Sequence, residues 1–201
     1  LDEVASHYTL PFELKDFQRD ALIRLAPLKR NALYWEPGLG KTAGSTVISL
    51  YKLITGVDQV IVIMPPLLIR QWGSWLSRLV PSPSVNMYRG TPTERKALSF
   101  DVQFILIGLQ IFKKDYAYIN SKIEGKSVHV VLDEAQCIID VGTDNHVKYL
   151  EFITGKSHTL LTGTPLNSPV DGYAYISLIS PGTYRNLYHF HQTHVTGLDG
   201  F

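Results

Sequence analysis

The sequence predicts an α/β fold, a mainly parallel sheet with helices on both faces, and two observations carry that prediction. Strand-like runs of β-branched and other apolar residues alternate with helix-like segments along the chain, the pattern of a sheet buried on both sides. Two short polar stretches, Glu36-Pro37-Gly38-Leu39-Gly40-Lys41-Thr42 and Asp133-Glu134-Ala135-Gln136, each follow such a run. Ligands of parallel sheets sit at the carboxyl ends of strands, and both stretches fall there.

Taken in order, Lys15 to Ala26 predicts an amphipathic helix with Phe17, Ala21 and Leu25 on one face. Asn31–Trp35 reads as a short buried strand and Thr42–Tyr51 as the helix after the glycine turn. Strand Gln59–Met64, a helix over Leu67–Leu79 and a short strand Val85–Tyr88 follow. Thr91-Pro92-Thr93-Glu94 fits a helix start, with a Thr cap, Pro at the first position and Glu three residues after the cap. Strands Val102–Ile107 and Ser127–Leu132, a helix near His146–Ile153, strand His158–Leu161 and a helix near Val170–Ile179 complete the set.

Length and composition bound the rest. A chain of 201 residues is read as one domain with room for a substantial core. No apolar run approaches the roughly 20 residues that cross a bilayer, so no membrane span is expected. The N-terminus lacks the basic-then-apolar pattern of a secretory signal, and Cys137 is the single cysteine, which excludes an internal disulfide. An intracellular location is the expectation. Lysine and arginine number 19 against 18 acidic residues, so charge is silent on nucleic acid and any grip must come from local geometry.

The two polar stretches together supply what is needed to hold Mg²⁺-nucleotide and cut it. Glycines let backbone N–H groups wrap a phosphate, Lys41 can reach the β and γ phosphates, and the Thr42 hydroxyl can ligate Mg²⁺. The N-terminus of the following helix adds partial positive charge. Asp133 can hold the metal, and Glu134 can orient and deprotonate the attacking water. The strict spacing is broken, since position 35 is Trp rather than Gly; the strand-turn-helix context compensates.

Further short stretches narrow the reading: Leu14-Lys-Asp-Phe-Gln18, Met64-Pro65-Pro66-Leu67-Leu-Ile-Arg-Gln-Trp72, Ile107-Gly108-Leu109-Gln110, Leu161-Thr162-Gly163-Thr164-Pro-Leu-Asn167, and Asp171 to Tyr184 with its Leu-x-x-Pro-Gly ending. With the two phosphate stretches, this series resembles the first RecA-like lobe of superfamily-two helicases, and among them the Swi/Snf family of double-stranded DNA translocases. The resemblance runs from about Leu10 to the C-terminus.

It implies a RecA-like P-loop lobe that binds ATP and Mg²⁺, with roles for particular residues. Gln18 matches the glutamine that reads the adenine edge. Gln136, Thr162, Gly163 and Thr164 match the segments that couple nucleotide state to nucleic-acid grip, and the Thr hydroxyls could bond back toward Glu134 or Gln136. Pro65, Pro66 and Leu67, with Gly108, Leu109 and Gln110, occupy positions that contact the DNA backbone. Trp72 matches a family tryptophan, although an amphipathic helix carrying Trp72 and Trp75 is also ordinary core packing. Gln136 stands where the family usually has His, and Trp35 and Pro37 look more like compact bacterial or bacteriophage members. The resemblance also implies a second lobe whose arginines reach the γ-phosphate, and no such lobe is expected within these residues. Nuclear location follows if the source is eukaryotic.

Three rival readings stay open: a superfamily-two RNA helicase lobe, a nucleotide-responsive regulator that binds nucleic acid without turnover, and a P-loop kinase, in which Leu161–Pro165 has no role. His189, His191 and His194 lie close together, but no carboxylate or cysteine follows at ligand spacing, so a packed or solvated connector is expected there. Cys137, beside Ile138 and Ile139, reads as a small buried hydrophobe.

Overall fold

The computed structural model describes residues 1–79, 84–138, 143–166, 168 and 171–194. Asn167, Val170 and Ile139, named above, lie outside them. Six strands form one sheet: β1 (Arg30–Leu33), β2 (Gln59–Met64), β3 (Val85–Tyr88), β4 (Phe104–Gly108), β5 (Val128–Asp133) and β6 (Ser157–Leu161). Their order is β1-β6-β5-β2-β4-β3, and every pair is parallel.

Alternation along the strands divides the core. Val60, Val62 and Met64 of β2, Phe104 and Leu106 of β4 and Val131 of β5 face one way. There they meet α1 (Asp2–His7), α2 (Asp16–Leu25), α3 (Lys41–Ile54) and α4 (Ile69–Leu76), through Val4, Leu22, Val47, Ile48, Trp72 and Leu76. Ile61, Ile63, Ile105, Ile107, Val130 and Leu132 face the other way. Against them pack α6 (Leu109–Lys122), α7 (Asp144–Ile153) and α8 (Asp171–Ile179), through Phe112, Ile119, Tyr149, Phe152, Tyr175 and Leu178. Each fully buried aliphatic or phenyl side chain of this kind stabilises by about 1.5–3 kcal/mol. A short α5 (Pro92–Ala97) starts as its sequence predicts: Thr91 Oγ1 accepts from Glu94 N, and Glu94 Oε2 accepts from Thr91 N.

Several elements differ from the sequence reading. Over α2 and its C-cap the buried positions are Gln18, Leu22 and Ala26, while Phe17 is exposed, so the inward face is turned by one residue. Gln18 belongs inside because both ends of its amide are bonded to main chain, and Phe17 is left to pack edge-on against Trp35. The Leu67–Leu79 helix divides into a 3₁₀ turn over Pro66–Leu68 and α4, because two prolines delay the α-helical ladder. β1 ends at Leu33, two residues early. Helix α6 was not anticipated; its interior mixes Lys113, Lys114 and Asp115 with three tyrosines or phenylalanines, and only Leu109, Phe112 and Ile119 are buried. The histidine stretch forms α9 (Leu187–His194) rather than a connector. Phe190 is buried against the rings of Tyr173 and Tyr184, and His194 Nε2 meets the Tyr184 hydroxyl.

At the amino ends of the strands His129 is fully buried, its ring nitrogens bonded to the Ser157 and Thr159 hydroxyls at 2.9 and 3.1 Å. Burial, reinforced by nearby Lys52 and His158, pushes its pKa down to about 3. An unfolded histidine titrates near 6.5, so below that pH the unfolded chain gains a proton that the folded one refuses. Stability present at pH 7 is therefore lost as pH falls from about 6.5 toward 3. Between pH 7 and pH 5 this single group should remove about 2 kcal/mol. Urea unfolding of the parent and of His129→Gln at both pH values checks it: the variant should lose about 2 kcal/mol less over the interval.

Candidate nucleotide site

The loop after β1 is shaped by two glycines in the left-handed region, Gly38 at φ 83° and Gly40 at φ 84°. Gly40 is fixed for a second reason, since a Cβ there would lie 2.7 Å from Gln18 Nε2. α3 begins at Lys41 immediately afterwards and aims its free N–H groups at the loop. Lys41 Nζ donates to the Trp35 carbonyl at 2.9 Å, a neutral acceptor.

At the end of β5, Asp133 is buried. Its Oδ2 accepts from the Trp72 indole N–H at 2.8 Å and its Oδ1 from Glu134 N at 3.0 Å. Burial raises the Asp133 pKa, opposed by the bond from Trp72. Glu134 sits at φ 55°, a left-handed conformation unusual for a residue with a side chain and of a kind concentrated at functional sites. Thr162, fully buried at the end of β6, donates to Gln136 Oε1 at 2.7 Å, and Gln136 Nε2 donates to Glu134 Oε2 at 2.7 Å. Thr164 N donates to Thr162 Oγ1 at 3.1 Å. These contacts form a continuous chain of hydrogen bonds from the β6 loop to the carboxylate of Glu134.

The parts surround one cleft of about 580 Å³, lined by Pro37, Gly38, Gly40, Lys41, Thr42, Leu68, Gln71, Trp72, Asp133, Glu134, Gln136, Gly163 and Thr164. Gly163 is where the walls come closest: a Cβ would lie 3.1 Å from Pro37 Cδ and 3.3 Å from Lys41 Nζ. Thr162 stands just behind the wall. Gln18 supports the loop from beneath, with Nε2 donating to the Leu39 carbonyl at 2.9 Å and Oε1 accepting from Lys15 N at 2.9 Å. An amide has two donors and two acceptor lone pairs, so one of each remains on Gln18 for a base edge. The oxygen donors Thr42 and Asp133 share the cleft wall with Lys41 and suit a hard divalent cation bound with phosphate.

Pro65, Pro66, Leu67, Gly108, Leu109 and Gln110 are not among the residues lining this cleft; they lie at the carboxyl ends of β2 and β4, one and two strands beyond β5 along the same edge of the sheet. Met64 and Gly108 pair in register, and a Cβ on Gly108 would lie 3.3 Å from Pro66 Cγ, so the two segments adjoin. Leu67 is 93% exposed. Gly108 caps α6, and Leu109 and Gln110 form its first turn.

Sequence reasoning placed Trp72 in the core and missed its bond to Asp133. A buried indole N–H needs an acceptor, and that requirement was the available signal. Leu68 and Gln71 were missed altogether. Cys137 is half-buried, and burial pushes its thiol up to about 11, which keeps it protonated and unreactive.

The fold and site together define a RecA-like α/β lobe with a glycine loop between β1 and α3. The chain belongs to the SNF2-related domain family, whose match covers residues 27–198. It is 32% identical over 163 residues to the chromatin-remodeling ATPase INO80 of Drosophila melanogaster, covering 73% of this chain and 10% of that protein. It is 28% identical over 187 residues to the nuclear protein STH1/NPS1 of Saccharomyces cerevisiae, covering 86% of this chain and 13% of that one. The chain therefore spans only a small part of these relatives. Among solved structures, the Sulfolobus solfataricus SWI2/SNF2 ATPase core in complex with dsDNA superposes with a TM-score of 0.75 at 20% identity, over 94% of this chain and 40% of that one; this likeness concerns the fold.

Thr162→Val keeps the shape of the side chain but leaves Gln136 Oε1 without its donor and Thr164 N without its acceptor. Two groups so stranded should reduce the unfolding free energy by about 1–3 kcal/mol. Denaturant titration of the variant against the parent measures the loss.

Proposed function

We propose that this chain is the ATP-binding lobe of an ATP-dependent translocase acting on double-stranded DNA, completed by a second RecA-like lobe. The observation that carries the reading is the single cleft that gathers Lys41, Thr42, Asp133 and Glu134 from the ends of two strands. Lys41 exchanges the neutral Trp35 carbonyl for charged β and γ phosphate oxygens. Thr42 and Asp133 would hold Mg²⁺, which supplies charge neutralisation on the phosphates when bound. Glu134 orients the attacking water and takes its proton, and the Gln136–Thr162 chain of bonds ties its carboxylate to the β6 loop. Gln18 reads adenine with its remaining donor and acceptor. Pro65–Leu67 and Gly108–Gln110 grip the phosphate backbone through main-chain N–H groups, which requires no base sequence. The names of the relatives, chromatin-remodeling ATPases among them, and a neighbour in complex with dsDNA support DNA over RNA. The same relatives favour an intracellular site of action, nuclear in a eukaryote.

The second lobe is part of the proposal because the described lining of the cleft offers Lys41 as its one cation. An arginine supplied from across such a cleft contributes on the order of 10³–10⁵ in rate. ATP turnover measured with duplex DNA, single strands, RNA and nothing, with and without the second lobe, tests this. Duplex should stimulate turnover only when both lobes are present. Robust DNA-stimulated hydrolysis by residues 1–201 alone sinks the two-lobe account. Stimulation by RNA alone makes the protein an RNA helicase, and binding without turnover makes it a regulator. In the two-lobe enzyme Lys41→Ala should weaken ATP binding by about 1.5–3 kcal/mol, while Glu134→Gln should bind ATP nearly as the parent does and fail to hydrolyse it.

Base selectivity is a separate expectation. ATP should outcompete GTP in equilibrium binding, and Gln18→Ala should erode that preference. Equal affinity of the parent for both nucleotides would remove Gln18 from base reading and leave it as the support of Leu39.

A further inference from the structure

Helix α4 is tied to the rest of the site by two indole N–H groups. Trp75 Nε1 donates to Thr46 Oγ1 of α3 at 3.2 Å, and Trp72 Nε1 donates to Asp133 Oδ2 of β5 at 2.8 Å. Trp72 is only 2% exposed, so its N–H has no water to fall back on, and Asp133 is nearly as deep. A buried carboxylate bonded to a fixed donor on each oxygen cannot swing, because Glu134 N holds Oδ1 while Trp72 holds Oδ2. Each oxygen keeps a second lone pair.

We propose that Trp72 is a positioning residue for Asp133: its indole N–H sets the orientation in which that carboxylate, with Thr42, receives a divalent cation. The proposal rests on the nucleotide reading above. Partners of this kind, one step behind a metal's own ligands, orient them and typically change metal affinity 10–100-fold when removed. Trp72 also sits one helical turn after Leu68, and Leu68, Gln71 and Trp72 all line the cleft. The exposed Pro66–Leu68 turn and the Asp133 carboxylate are thus joined through a single short helix.

Trp72→Phe keeps an aromatic ring in the core and removes the N–H. The test is the Mg²⁺ concentration giving half-maximal binding of a fluorescent ATP analogue. In Trp72→Phe it should rise about tenfold, while binding without Mg²⁺ stays within about twofold of the parent. Trp75→Phe, which loses only the bond to Thr46, should leave the Mg²⁺ requirement unchanged. A folded Trp72→Phe with the parent's Mg²⁺ requirement overturns the positioning role alone. A parent that binds no nucleotide at any Mg²⁺ concentration overturns the nucleotide reading and this proposal with it. Should Trp72→Phe not fold, the unmutated protein still decides. Of its three indole N–H resonances, the one that Asp133→Ala displaces should move when Mg²⁺ is added to the ATP complex. An Asp133→Ala protein with all indole signals in place, or a Trp72 signal indifferent to Mg²⁺, overturns it.

Discussion

The site depends on β6 lying between β1 and β5. Parallel strands sit about 4.8 Å apart, so the phosphate loop after β1 and the acids after β5 are separated by about 10 Å. Under the proposed function that gap would accommodate a triphosphate chain, with the β6 loop as its floor. The floor must be thin, which is why position 163 carries no side chain beside Pro37 and Lys41. It must also be polar and fully bonded, because Thr162 is buried there. One hydroxyl meets both demands: it accepts from Thr164 N and donates to Gln136, and Gln136 passes the constraint to Glu134.

A consequence is that the three charged groups of the cleft are already held by protein. Lys41 rests on a carbonyl, Glu134 on the Gln136 amide, and Asp133 between an indole and a main-chain N–H. Under the proposed function, nucleotide binding would be an exchange of partners at Lys41, neutral oxygen for charged oxygen. The gain would be the difference between two bonds from the same ammonium, and it favours phosphate because a cation attracts a charged oxygen more strongly than a neutral carbonyl. Asp133 and Glu134 are held by bonds that do not involve Lys41, which would be the condition for electrostatic preorganisation under that proposal.

Much of this was legible in the sequence. The β-branched runs gave β2, β4, β5 and β6, and the glycine turn and acid pair fell at strand ends because polar residues after an apolar run have few other places to go. Resemblance supplied the β6 loop, and the structure joins Thr162 to Gln136 as the residues allowed. What stayed hidden was whatever depended on partners distant in sequence. Resemblance gave Gln18 a base-reading role, but not the bond from its amide to Leu39, 21 residues away. Trp72 looked like core until its N–H met Asp133, 61 residues away. α6 escaped because its tyrosines and lysines blur the helical period, and α9 because a histidine-rich stretch suggests ligands before it suggests a helix.

The proposed nucleic-acid edge follows from the same sheet. β2 is the next strand after β5, and β4 the next after β2, so the segments Pro65–Leu67 and Gly108–Gln110 emerge beside the nucleotide cleft and next to each other. With a net charge of +1 the chain has no large excess of cations to attract a phosphate backbone. The start of α6, with Gly108 as its cap, offers oriented main-chain N–H groups instead. Such a grip would be indifferent to sequence, as the proposed translocase requires. It is also weak on its own, since a few main-chain contacts release few counterions. Under the proposed function, sustained hold on a duplex would call for contacts beyond these segments, and a cleft adjoining them would give bound nucleotide a short mechanical route, through α4, by which to control the grip.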